Sequence, residues 1–244
     1  MSNEWELPSN VESQSIERLG GGGFAWESGA YDVSVKVAYT YTTERGAEML
    51  SIVLENSDGK ELRESFCIKS GNEKGNKTYY TKNGKDIALP GYSISESLCI
   101  AATGHGLPKA METREKKQIK SWDYEKKAQA PVERDVLMSL TNKPVKVAVH
   151  QVIEDKQVKN VATGQYEPSG TTKTSNRCKF FGNKDGKTAE EIKANKEATF
   201  FAKWAERNTG TVINEASKNS NSAASIMGST PATGNGSGES IFTA

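Results

Sequence analysis

From Tyr31 to Thr42 the sequence alternates without a break. Tyr31, Val33, Val35, Val37, Tyr39 and Tyr41 fall on one side; Asp32, Ser34, Lys36, Ala38 and Thr40 fall on the other. Period two in β-branched and aromatic residues, held over this length, predicts a long strand. A short turn at Thr43 to Gly46 leads to a second strand with Leu50, Ile52 and Leu54 on one face. Ser57-Asp58-Gly59 is a hairpin signal, and the third strand carries Leu62, Phe66 and Ile68 inward. Three strands joined by short turns make an antiparallel meander.

Past the meander the pattern changes. After Pro90-Gly91, Ser93 and Glu96 have capping-box spacing, and Ile94, Leu98 and Ala101 recur at helical spacing up to Gly104. Residues 108–135 are highly charged and predict an exposed helical insertion, a linker being the alternative for 108–130, with Pro131 opening a short helix that shows Val132, Val136 and Leu140 on one side. Val145, Val147, Val149 and Ile153 restart a strand, and 157–161 reads as its partner. A turn-rich stretch fills 167–176, and Arg177 to Phe181 reads as a further short strand. Thr188 and Glu191 form a second capping box, heading a helix to Arg207 with Ile192, Lys196, Phe200 and Trp204 in one stripe.

The expected fold is mainly β with added helices, an OB-like five-stranded Greek-key barrel. A sandwich or an open α+β arrangement also fits this order. Residues 1–28, polar and holding Gly20 to Gly23 in a row, predict a flexible lead-in; 29–207 predict the domain. From 208 the composition collapses into Asn, Ser, Thr, Ala and Gly, so 208–244 predict a disordered tail ending near the apolar pair Ile241-Phe242.

Charge is the functional signal. Charged residues make up 26% of the chain, yet the formal net charge is +1, so an anion-binding surface requires segregation. Residues 69–85 hold five lysines (Lys69, Lys74, Lys77, Lys82, Lys85) and one acid, with Tyr79 and Tyr80 among them. Residues 156–187 hold seven bases and two acids, with Tyr166, Phe180 and Phe181 interleaved. Cations neutralise successive phosphates and exposed rings stack on bases, which is what a nucleic-acid single strand requires. A solvated lysine loop with satellite ring contacts is the plainer reading of the same residues. The expected contacts are Lys36, Tyr39, Lys69, Lys74, Lys77, Tyr79, Tyr80, Lys82, Lys85, Arg177, Lys179, Phe180 and Phe181. Phe180 and Phe181 are adjacent, so on a strand one faces the core and the other the ligand. Tyr39 and Tyr41 are open between core and groove, and Trp5 and Trp26 between stacking platform and anchor for a partner subunit. Residues 109–127, with seven bases, four acids, Trp122 and Tyr124, alternate in sign and read as a solvated face.

Other chemistries find little purchase. Cys67, Cys99 and Cys178 are scattered, with no CxxC spacing, and the two histidines, His105 and His150, stand alone. Gly20 to Gly23 lacks the Lys-Ser or Lys-Thr of a phosphate loop. The expectation is a protein without catalytic residues, metal or cofactor. The sequence shows neither a membrane-length apolar run nor a secretory leader, which points to the cytoplasm.

The stretch Lys-Ser-Gly-Asn-Glu-Lys-Gly-Asn-Lys-Thr-Tyr-Tyr (69–80), followed by Asn-Gly-Lys (83–85), Leu-Pro-Gly-Tyr (89–92) and Ala-Thr-Gly (102–104), resembles bacteriophage single-stranded DNA-binding proteins of the tailed-phage replication type. The likeness is best over 28–107 and weaker through 145–205. It implies an OB fold that coats single-stranded DNA, without sequence preference, in phage replication, recombination and repair. It also implies a C-terminal tail that recruits replication or recombination proteins, and self-association on DNA is compatible with it. Such tails end in an acidic cluster with a terminal aromatic; here 238–244 hold one acid, Glu239. The alternative is a structural or assembly protein of a virion with a β-domain, using lysine loops only for solubility.

Overall fold

The computed structural model describes residues 25–123, 128–161 and 163–216. Trp5, the Gly20 to Gly23 run, Tyr124 and the expected tail from 217 onward lie outside the described residues. The described residues divide into two compact units, one within 25–152 and 174–213, the other within 153–173 and 214–216.

In the first unit the expected meander forms. β1 (Gly29–Thr42), β2 (Glu48–Asn56) and β3 (Glu61–Lys69) are antiparallel neighbours. A two-stranded sheet of its own follows, β4 (Tyr79–Lys82) and β5 (Lys85–Ala88). Helix α1 (Pro90–Thr103) starts with proline in its first turn and stops at Gly104, whose φ of 77° only glycine adopts readily. The expected capping box at Ser93 does not form. Glu96 instead accepts the Leu107 backbone N–H at 2.5 Å, at the start of α2 (Leu107–Met111). Gly91 lets α1 lie on β3, because a Cβ there would collide with the Cys67 carbonyl.

Apart from 108–111, which α2 takes up, the charged insertion is a β-hairpin and not helical. β6 (Arg114–Asp123) and β7 (Ala128–Leu137) pair along their length, and β7 joins β1 at Tyr39 and Thr40. Pro131 does not open a helix; it sits within β7 beyond the stretch that pairs with β1, where its missing N–H costs no ladder bond on that side. β8 (Lys143–Lys159) then runs antiparallel to β1, and β9 (Tyr166–Gly182) pairs with β8. The strand predicted at 157–161 is therefore mostly the end of β8, and the turn-rich 167–176 belongs to β9.

The single predicted helix from Thr188 is two, α3 (Ala189–Lys193) and α4 (Phe200–Asn208). β10 (Val212–Asn214) pairs with β8, so the described part of 208–216 is not all tail. The main sheet runs β10-β8-β1-β2-β3, with β7 beside β1, β6 beside β7 and β9 beside β8. β3 and β9 are not laddered together, but the Glu64 carboxylate accepts the Cys178 N–H at 2.6 Å and joins them by one side chain.

Leu50, Ile52, Leu54, Phe66, Leu98, Leu137, Val147 and Phe181 are among the buried core. The lead-in boundary at 28 moves back. Trp26 is buried against Tyr31, and its N–H and C=O both bond to the Asn176 amide at 2.7 Å. Ser28 accepts the Gln151 N–H at 2.8 Å. Trp26 is thus a core residue and not an exposed platform. Among the described residues no helix is long and apolar enough to cross a membrane.

In the second unit the end of β8 and the start of β9 are joined by a turn closed by Asn160 N–H to the Gln165 carbonyl, 2.7 Å. Lys173 pairs with Glu154 at 3.3 Å, and Tyr166 is 68% exposed.

Candidate nucleic-acid interface

The β4–β5 hairpin gathers most of the expected contacts. Asn83 and Gly84 have φ of 53° and 72°, the left-handed pair that a tight two-residue hairpin turn demands. Register sets Tyr79 opposite Ala88, Tyr80 opposite Ile87, Thr81 opposite Asp86 and Lys82 opposite Lys85. Because side chains alternate, Tyr80, Ile87, Lys82 and Lys85 share one face, while Tyr79 and Ala88 share the other. Tyr79 and Tyr80 are 36% and 40% exposed, and Ile87 is 40% exposed. These rings are not core.

Its cations are uncommitted. Among the described residues Lys69, Lys74, Lys77, Lys82 and Lys85 form no ion pair. Lys77 places its ammonium 5.3 Å from the Tyr79 ring centre. Thr81 donates to Asp86 at 2.7 Å, which occupies the acid of β5. Lys82 facing Lys85 is a like-charge cross-strand pair, unfavourable until an anion lies between them.

The other expected contacts divide. Lys36 is exposed but held by Glu55 and Glu61, both at 2.9 Å; Glu61 first, then Glu55, raises its ammonium above the usual lysine range. It is the extra residue of a β-bulge, since Val35 pairs with Leu54 and Val37 with Val53. The bulge shifts the inward face of β1. Val33 and Val35 are buried before it, Ala38 and Thr40 after it. Tyr39 and Tyr41 are therefore half-buried on the outer face, their rings 6.3 Å apart, with the Arg134 guanidinium 5.8 Å from Tyr41. Sequence reasoning misses Arg134, which it sets in a helical insertion.

On β9, Phe181 is 0% exposed and belongs to the core, so it is no contact. Phe180 is half-buried in a cluster with Phe200, Phe201 and Trp204, at ring distances of 5.1, 4.7 and 5.7 Å. Lys179 is exposed, and Arg177 is half-buried and engaged. Both lie near Glu64; burial raises its carboxyl, and the Cys178 bonds and these two cations pull it back only in part.

Phe180 and the root of the lysine hairpin meet. Ala88, Tyr92, Ser97, Phe180, Phe181 and Phe200 are among the residues lining one groove of about 500 Å³. Its far wall is set by Glu191. One carboxylate oxygen accepts from Thr188 N–H at 2.9 Å, completing the expected capping box; the other accepts from Thr199 and Phe200 N–H at 2.8 and 2.9 Å. Burial alone would raise this carboxyl, but those backbone donors outweigh it and hold it at about 2. The double cap thus contributes stability above the ordinary glutamate range and loses it as pH falls toward about 2.

Neither Cys99 nor Cys178 is an activated nucleophile. Burial pushes the Cys99 thiol up to about 12 and the Cys178 thiol well above its usual value. His150 is buried beside Trp204, its ring lowered by burial and then by Lys179. No protein-family model matches this sequence, and no curated protein matches it.

Proposed function

We propose that this protein binds single-stranded DNA without sequence preference, and that its described core is an OB-type barrel. Strand order supports the fold. A three-strand meander is followed by α1, then by β8 returning beside β1 and β9 beside β8, which leaves β3 and β9 among the edges, the pair that a closed barrel would join. The Glu64–Cys178 bond spans those edges. Coating of phage DNA during replication, recombination and repair is the role the sequence resemblance adds.

One observation carries the binding reading. A projecting hairpin offers two exposed tyrosines and unpaired lysines, with Lys82 set against Lys85. Duplex DNA hides its base faces, so exposed rings favour a single strand. If all five lysines meet phosphates, log affinity falls against log salt with a slope of about −3.5. Replacing Tyr79 and Tyr80 together by Ala is expected to lower poly-dT affinity by roughly tenfold or more, since each base stack contributes about 1–3 kcal/mol. Both rings are exposed, so the melting temperature should stay. Intrinsic fluorescence titration at two salt concentrations reads affinity and slope together. Unchanged affinity in the double variant, or equal binding of duplex, refutes the proposal.

A further inference from the structure

The groove beside the lysine hairpin has no part in phosphate binding or in stacking on Tyr79 and Tyr80. Its volume of about 500 Å³ lies in the range of pockets that enclose small molecules. We infer that it receives one nucleobase turned out of the bound strand; this rests on the single-strand reading above.

Three features select that occupant. The first is continuity. Ala88, the last residue of β5, lines the groove and shares its hairpin face with Tyr79, so the groove opens at the root of the element that carries the uncommitted lysines. The second is shape and surface. Phe180 and Phe200 stand edge to face 5.1 Å apart, and Phe200, although it walls an apolar groove, is 49% exposed. A flat heterocycle covers such a wall, and the Ser97 hydroxyl, which donates to the Ile94 carbonyl at 2.7 Å, keeps its oxygen free to accept from a base N–H. The third is charge. A neutral ligand or an apolar peptide would fill the groove and leave Lys82 and Lys85 opposed. A base arrives tied to its own phosphates, so the strand that fills the groove at Ala88 can run on to Lys82 and Lys85 at the turn end and on the other face of the hairpin, the second contact being intramolecular.

The test uses the full chain and a short fluorescein-labelled dT oligonucleotide carrying one internal 2-aminopurine, whose emission rises when it leaves the stack. Ala88 and Ser93 both line the groove and are exposed, so Ala88→Trp and Ser93→Trp fill it without removing a core contact. The wild type is expected to raise 2-aminopurine emission on binding. Each tryptophan variant should lose that rise and bind about tenfold more weakly, the worth of one base contact, with its salt slope unchanged because the phosphate contacts remain. If either folded variant keeps both the rise and the affinity, the groove assignment is overturned while the single-strand reading stands. If the wild type fails to bind the oligonucleotide, both fall. Melting curves show that each variant is folded, and one folded variant is enough to decide between these outcomes.

Discussion

Between β4 and β5, Lys82 faces Lys85 across an Asn83-Gly84 turn with no acid against them. On β6, Lys116 reaches Glu133 of β7 at 2.9 Å, Lys117 reaches Glu115 of its own strand at 2.7 Å, and Arg114 extends to Glu48 on β2 at 3.6 Å. Both hairpins are exposed and rich in lysine. The second neutralises itself and is stitched into the main sheet at Tyr39 and Thr40; the first forms a separate sheet and keeps its charge. Lysine content therefore does not mark an anion site. Register alone does not separate the two, since Lys117 stands opposite Arg134 as Lys82 stands opposite Lys85; what differs is whether a carboxylate lies within reach of each cation.

The largest effect should come from reversing charge in one hairpin and then the other. Lys77, Lys82 and Lys85 all changed to Glu are expected to reduce single-strand affinity by about 100-fold or more at low salt, because three phosphate contacts turn repulsive. The same change at Lys116 and Lys117 should cost less than about threefold, since those charges are already spent on glutamates. Equal losses in a fluorescence titration would erase the distinction. A smaller effect follows from giving the first hairpin the pattern of the second. Lys82→Glu creates an opposite-charge pair with Lys85. It should lower affinity by about tenfold while slowing amide exchange in 79–88, as a cross-strand pair worth roughly 0.2–1 kcal/mol replaces a repulsion. Faster exchange would show that the lysine pair is not strained. The smallest shift is expected for Glu133→Gln, which frees Lys116. Affinity should rise by no more than about twofold, read in the same titration, because Asp135 still stands opposite Lys116 and one surface cation adds little.

Legibility in the sequence follows the same division between one-sided and two-sided elements. β1 on each side of its bulge and β3 bury one face each, so their period-two pattern is plain, while β2 is buried on both faces from Leu50 to Leu54. β6 and the far end of β8 are exposed on both faces and carry no such alternation, which is why the first reads as helix and the second as a separate strand. The bulge at Lys36 is invisible to a periodicity count, since an inserted residue changes the face without changing the residue types. Tyr39 and Tyr41 are outward for that reason alone. The segregated charge of 69–85 is readable because it is a local property; the β4–β5 hairpin that carries it is not, since its two short strands are exposed on both faces and show no alternation. The groove is not, because Ala88, Phe180 and Phe200 come together only through tertiary packing. By spacing alone, Phe200 is one more residue in a continuous helical stripe.

That continuity is broken by a side chain that also serves as the best local signal. Glu191 divides its two oxygens between the helix it belongs to and the helix that begins nine residues later. The two short helices are in consequence pinned by a shared rivet: neither can unwind its first turn without loosening the other. The pose of the Phe200 ring is thereby governed from a position where no strand of DNA need ever pass.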